Sequence, residues 1–154
     1  MNDDFYQVVA DKFIFRVKKG LLYTEDDLWV KINDGEASFG VADFLQRRSG
    51  DVTFVELPEK GSTVKKGKEI SSFETIKAVI ALASPFDGVI TEVNTTLNDK
   101  PELINEDPYG EGWIASIAPS HFEEDKRYLI TAEQYFELMR SKIEDELKSR
   151  KREA

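Results

Sequence analysis

Between Thr75 and Ser84 the chain reads Thr-Ile-Lys-Ala-Val-Ile-Ala-Leu-Ala-Ser, and Lys77 is the only charged side chain in it. An unpaired ammonium buried among such neighbours would cost several kcal/mol. The lysine must therefore project outward, most simply from a tight turn between two apolar strands. Turn signals bracket it: Gly61 and Gly67 upstream, Pro85 and Asp87-Gly88 downstream. A lysine on a hairpin tip of a small β-domain is the geometry needed for a swinging arm attached through its amine.

With 154 residues the chain is long enough for one domain with an appended helix. It has no cysteine, which excludes a disulfide framework, a cysteine nucleophile and thiolate metal sites. Any dithiol chemistry would have to live on a cofactor. The single histidine, His121, speaks against histidine metal sites and a Ser-His-Asp triad. A net charge of −9 argues against nucleic acid as a partner. No apolar run approaches the roughly 20 residues of a membrane span. The acidic start, Met-Asn-Asp-Asp, lacks the basic-then-apolar order of a secretory signal, so the expected compartment is the cytoplasm.

Residues 1–20 read as an N-terminal extension able to add an edge strand. Residues 21–120 form the main β-domain, and residues 121–154 a helical extension. Leu28 to Ile32 and Ala37 to Val41 flank Asn33-Asp34-Gly35, a hairpin signal. Val41 to Arg48 has a short helical pattern closed by Gly50. Short strands follow at Val52–Leu57, around Val64, Ile70 and Phe73, at Ala78–Ala83 and at Val89–Val93. Residues 94–112 are expected to be a long polar loop, with Trp113–Ala118 the last strand. In the tail, Thr131-Ala-Glu-Gln134 is a capping box, with Ile130 and Tyr135 as its hydrophobic staple. Tyr135, Met139, Ile143 and Leu147 make one apolar stripe, which predicts a helix packed back on the β-domain. Lys148, Arg150, Lys151 and Arg152 sit where a helix dipole favours cations.

Most polar clusters read as ordinary. Gly110-Glu111-Gly112 is a tight turn, because a strand rather than a helix follows. Glu123, Glu124 and Asp125 read as a solvated face. Asp26-Asp27 lacks the spaced ligands and central glycine of a calcium loop. Nothing reads as a nucleophile with its base. Lys77 is different: Glu74 stands three residues before it, an apolar strand follows, and glycine turns lie on both flanks.

Several long motifs then occur in order. They are Gly50-Asp-Val-Thr-Phe-Val-Glu-Leu-Pro-Glu-Lys-Gly61, Glu74-Thr-Ile-Lys-Ala78, Ser84-Pro-Phe-Asp-Gly88 and Asn105-Glu-Asp-Pro-Tyr-Gly-Glu-Gly-Trp113. Tyr23-Thr24 before Trp29-Val30, and Gly40-Val-Ala-Asp43 with Gln46, accompany them. From about Leu21 to Pro119 the sequence closely resembles the H-protein family of the glycine cleavage system. The resemblance implies a mostly β fold, a lipoyl-type barrel-sandwich hybrid of two small antiparallel sheets with a short internal helix and a C-terminal helix. It implies lipoate joined by an amide to Lys77, with Glu74 helping lipoate-attaching enzymes to recognise the hairpin. It also implies a non-catalytic carrier, and the tail, with fewer than three heptads, favours a monomer over a coiled-coil dimer. Such a carrier takes an aminomethyl group from a pyridoxal-phosphate glycine decarboxylase to a tetrahydrofolate-dependent aminomethyltransferase, and dihydrolipoamide dehydrogenase reoxidises its dithiol.

The chain departs from the family pattern around the expected cleft. A histidine and a glutamate commonly precede the tryptophan; Asp27 and Leu28 stand there. Arg48 replaces a histidine near the end of the short helix, and Ala81 an aspartate four residues after the lysine. Each missing carboxylate removes a charge-assisted partner for an amine, worth roughly 1.5–3 kcal/mol. Asp26 or Asp27 is the expected substitute. Similar lipoate carriers serve heterodisulfide-reductase-like sulfur oxidation, which makes a carrier of sulfur intermediates the first rival. A relay passing lipoate to other domains is the second. A biotin carrier is disfavoured, because Ile76 and Ala78 flank Lys77 where methionines are typical.

Overall fold

The computed structural model describes residues 4–153. Met1–Asp3, part of the acidic start, and the side chains of Lys151 and Arg152 lie outside what it describes.

Strands β1 (Phe5–Ala10) and β2 (Phe13–Lys18) pair with each other only, as a separate two-stranded sheet. The N-terminal segment is therefore a hairpin of its own rather than an edge strand of a larger sheet. Its inner side chains Phe15 and Val17 are buried against the C-terminal helix and the short helix, which gives it a core to pack on without strand pairing.

Strands β3 (Leu22–Tyr23), β4 (Leu28–Asn33) and β5 (Glu36–Val41) open the largest sheet. The β4–β5 hairpin runs in register from Leu28↔Val41 to Asn33↔Glu36. Its turn places Asp34 at φ 46° and Gly35 at φ 79°, the two successive positive angles of a type I′ turn. Helix α1 (Asp43–Ser49) follows, and Gly50 ends it at φ 92° with its N–H on the Gln46 carbonyl. Then come β6 (Val52–Glu56), β7 (Thr63–Val64), β8 (Glu69–Thr75), β9 (Val79–Ala83) and β10 (Gly88–Val93). After a 3-10 turn at Thr95–Asn98, the chain forms α2 (Leu103–Glu106), β11 (Ala115–Pro119), α3 (Phe122–Lys126), β12 (Ile130–Thr131) and α4 (Ala132–Glu153).

Seven strands form one sheet in the order β12-β3-β4-β5-β11-β10-β7, and three form a second, β6-β8-β9. Every pairing is antiparallel. Val30, Phe39 and Ile117 from the first sheet share one core with Val55, Phe73 and Leu82 from the second. This is the sandwich that the apolar alternation calls for.

The segment 94–112 is not simply a polar loop. Leu97 of the 3-10 turn and Ile104 of α2 are fully buried in that core and plug the sandwich, and Asn94 is buried too, its side-chain amide donating to the Glu111 and Trp113 carbonyls. Nor does β11 end the strands, since β12 pairs with β3. Asp125 is a further departure. It is buried and accepts the Asp87 N–H at 2.9 Å, so it ties α3 to the turn before β10 rather than joining a solvated face.

The tail folds back as its stripe predicts. Tyr135 and Met139 are fully buried, each worth about 1.5–3 kcal/mol. The capping box is reciprocal: Gln134 N–H donates to Thr131 Oγ1 at 3.1 Å, and Thr131 N–H to Gln134 Oε1 at 2.9 Å. The Tyr135 ring stacks on Tyr23 with centroids 4.5 Å apart. Burial pushes both phenols up, so each stays protonated and donates. Tyr23 donates to the Lys18 carbonyl and Tyr135 to Asp27 Oδ1.

Candidate cofactor-attachment site

Lys77 stands on the tip joining β8 to β9. Thr75 N–H donates to the Ala78 carbonyl at 2.9 Å, which closes the turn. Thr75 Oγ1 accepts the Lys77 N–H at 3.2 Å and the Ala78 N–H at 3.3 Å. Neither Ile76 nor Lys77 has a positive φ. A threonine hydroxyl thus organises a turn that contains no glycine. Ile76 beside the lysine is 93% exposed, and Phe54 and Val79 on the same sheet are exposed too.

The amine lies near the end of α1. Lys77 Nζ donates to the Arg48 carbonyl at 3.4 Å, and among the described residues no carboxylate lies within ion-pairing distance of it. Next to it opens a cleft of about 400 Å³, lined by Phe13, Phe15, Arg47, Arg48, Glu146 and neighbouring residues of α4. Arg48 forms an ion pair with Glu146 and lies over the Phe44 ring at 5.2 Å. An exposed primary amine with no acid partner and open space beside it can be acylated and can lay the attached arm down.

Of the other residues expected at the site, the structure brings only Arg48 to this cleft. Glu74 is exposed on β8, paired across the sheet with Phe54 and Val79. Ala81 is exposed on β9 and carries no polar side-chain atom. Leu28 is fully buried in the sandwich core. Asp26 lines a separate pocket of about 320 Å³ with Lys66, Arg127 and Tyr128. Asp27, at φ 70°, is buried and engaged: Tyr135 donates to it at 2.7 Å, and Lys142 Nζ approaches it at 3.3 Å. Its carboxylate anchors α4. In place of Asp26 and Asp27, the acid that lines the cleft is Glu146, which sequence reading passed over. The only signal for it is its position next to Leu147 on the apolar stripe. Nothing along the chain pairs residue 48 with residue 146.

Among the described residues no group of three or more potential metal-ligand side chains occurs. No helix among them is long and apolar enough to cross a membrane.

The family model described as "Glycine cleavage H-protein" matches residues 21–142. A protein of Aeropyrum pernix called "Probable glycine cleavage system H protein" is 47% identical over 84% of this chain and 90% of its own length. A glycine cleavage system H protein of Listeria monocytogenes is 46% identical over 76% of this chain and 93% of its own. The crystal structure of a glycine cleavage system H protein from Mycobacterium marinum superposes with a TM-score of 0.68 at 38% identity, covering 75% of this chain and 92% of that one. A sandwich that displays one unpaired lysine on a hairpin, with a family match spanning both sheets, leads to one conclusion: this chain belongs to the glycine cleavage H-protein family.

Proposed function

We propose that Lys77 carries lipoate as an amide and that the protein shuttles the aminomethyl group of glycine. In this reading it passes from a pyridoxal-phosphate decarboxylase to a tetrahydrofolate-dependent aminomethyltransferase, and dihydrolipoamide dehydrogenase restores the oxidised arm. The observation that carries the reading is the Lys77 tip, an exposed amine with no acid partner on a turn built for display, in a chain of this family. Lipoate supplies a redox-active dithiol, which a chain without cysteine cannot supply itself. The protein's own part is to hold, orient and present. Thr75 fixes the tip, acylation removes the ammonium charge, and Arg48 and Glu146 leave polar atoms beside the arm. No residue here is assigned a catalytic step, and the cytoplasm is the proposed compartment. Glu74, exposed one strand-row behind the tip, is the proposed recognition handle for lipoate-attaching enzymes.

The test begins with intact mass after incubation with lipoate and a lipoate ligase, which should show a single addition that K77R abolishes. Lipoylated protein with its cognate decarboxylase should then exchange bicarbonate into the carboxyl group of glycine. The sulfur-carrier reading draws on a specific observation. The family's two carboxylate positions hold a core leucine, Leu28, and Ala81. Inactivity in glycine exchange alongside competence with sulfur-oxidising partners would replace the pathway and leave the lipoyl-carrier assignment standing.

A further inference from the structure

Strands β3 and β4 separate early, and a groove opens where they do. Their pairing ends at Leu22↔Val30. Two more steps of the same register would set Leu21 against Lys31 and Gly20 against Ile32. Instead Gly20 takes φ 84°, a left-handed value that turns the chain away from β4. Helix α3 closes the third side, and the groove measures about 370 Å³. Its apolar lining is Leu21, Leu22, Val30, Ile32 and Phe122. Val30 belongs to the sandwich core, and Leu22, Ile32 and Phe122 pack against that core, so the walls are fixed. Phe122 also stacks on Phe86, with ring centroids 5.9 Å apart.

The charged lining is of one sign. Lys31 and Lys126 border the groove, and no carboxylate lines it. Among the described residues neither lysine has a carboxylate within ion-pairing distance. In a chain of net charge −9 this leaves a local positive site over an apolar floor. Apolar walls with a few polar groups to fix orientation are what a small-ligand site needs. The groove shares no lining residue with the cleft beside Lys77.

We propose that this groove binds a medium-chain alkyl carboxylate. The chain lies along Leu21, Leu22, Ile32 and Phe122, and the carboxylate accepts hydrogen bonds from Lys31 and Lys126. An alkylammonium meets two like charges there. A sugar or nucleoside would leave its hydroxyls without partners against the apolar walls. A methylene is close in size to a water, whose share of liquid volume is about 30 Å³, so about a dozen heavy atoms fill the groove. A free fatty acid and unattached lipoate share this chemistry. The site stands apart from the carrier reading and does not depend on it.

The experiment titrates the full chain with octanoate, lipoate and octylamine and follows backbone amide resonances. Octanoate should give saturable shifts at residues 20–22, 30–32 and 122–126, and octylamine should give none. From hexanoate to octanoate, each added methylene should tighten binding about fourfold. The double variant K31Q/K126Q changes two exposed lysines and should fold as wild type does, yet bind octanoate about fivefold more weakly. Lipoate binding more tightly than octanoate would name unattached lipoate as the source, and the reverse order would name a fatty acid. Shifts that never saturate, equal shifts with octylamine, or no gain from hexanoate to octanoate would each overturn the proposal. Loss of lipoylation in K77R has no bearing on these shifts, so the two readings fail separately.

Discussion

Two hairpins of this molecule solve the same chain reversal in opposite ways. The β4–β5 hairpin turns through Asp34 and Gly35 at φ 46° and 79°, with polar residues at its tip and buried ones along its strands. The β8–β9 hairpin turns through Ile76 and Lys77 with no positive φ, holds its tip by the Thr75 hydroxyl, and leaves Ile76 almost wholly in water. An isoleucine in water gains nothing from burial. The difference teaches where function departs from foldability. A tip shaped for folding uses Asp-Gly, whereas this one presents an amine between apolar side chains on strands rigid enough to aim it.

The sharpest way to break the contrast is K77R. Lipoate addition should vanish by intact mass, while the melting temperature should stay at the wild-type value, because the side chain is exposed and supports no packing. Gly35→Ala should do the opposite. A Cβ there meets no atom within 4 Å, so the cost is backbone strain at positive φ, about 1–2 kcal/mol by urea unfolding, with lipoylation unaffected. Thr75→Val removes the acceptor of two tip N–H groups. We expect roughly 1 kcal/mol of lost stability and, unlike at Gly35, a slower rate of ligase-catalysed lipoylation. Ile76→Ser should change stability by less than about 0.5 kcal/mol. A large loss would show that the tip packs on something and is not purely for display.

The smallest effect lies at the far end of β9. Asp87 Oδ1 accepts the Lys66 N–H at 2.7 Å, and this bond first of all holds its carboxyl below the usual range. A group whose folded pKa is depressed stabilises the fold above its unfolded pKa, and that contribution is lost as pH falls through the folded value. Wild type should therefore lose stability between neutral and acid pH slightly more steeply than D87N in paired urea titrations. Equal slopes would show that this turn owes nothing to the Asp87 charge.

What the sequence could determine was local. The Asp34-Gly35 turn, the Gly50 stop after α1 and the Thr131–Gln134 capping box each depend on residues within about four positions, so their backbone chemistry is written in adjacent letters. The isolation of Lys77 is local too, because a charge cannot hide within a short apolar run wherever that run ends up. The stripe Tyr135, Met139, Ile143 showed that α4 would find an apolar surface, without showing which one. Tertiary structure decided the rest. Whether Asp125 meets solvent or the Asp87 N–H, whether Asp27 faces the lysine or Tyr135, and whether Leu97 and Ile104 fill the sandwich depend on elements far apart in the chain. The same holds for Arg48 and Glu146. Their encounter needs α1, the N-terminal hairpin and the end of α4 to dock at one angle. That angle is set by the shape of a shared core of Phe15, Phe44, Tyr135 and Ile143. Spacing along the chain carries no record of it, because packing selects among faces only once the whole core is assembled.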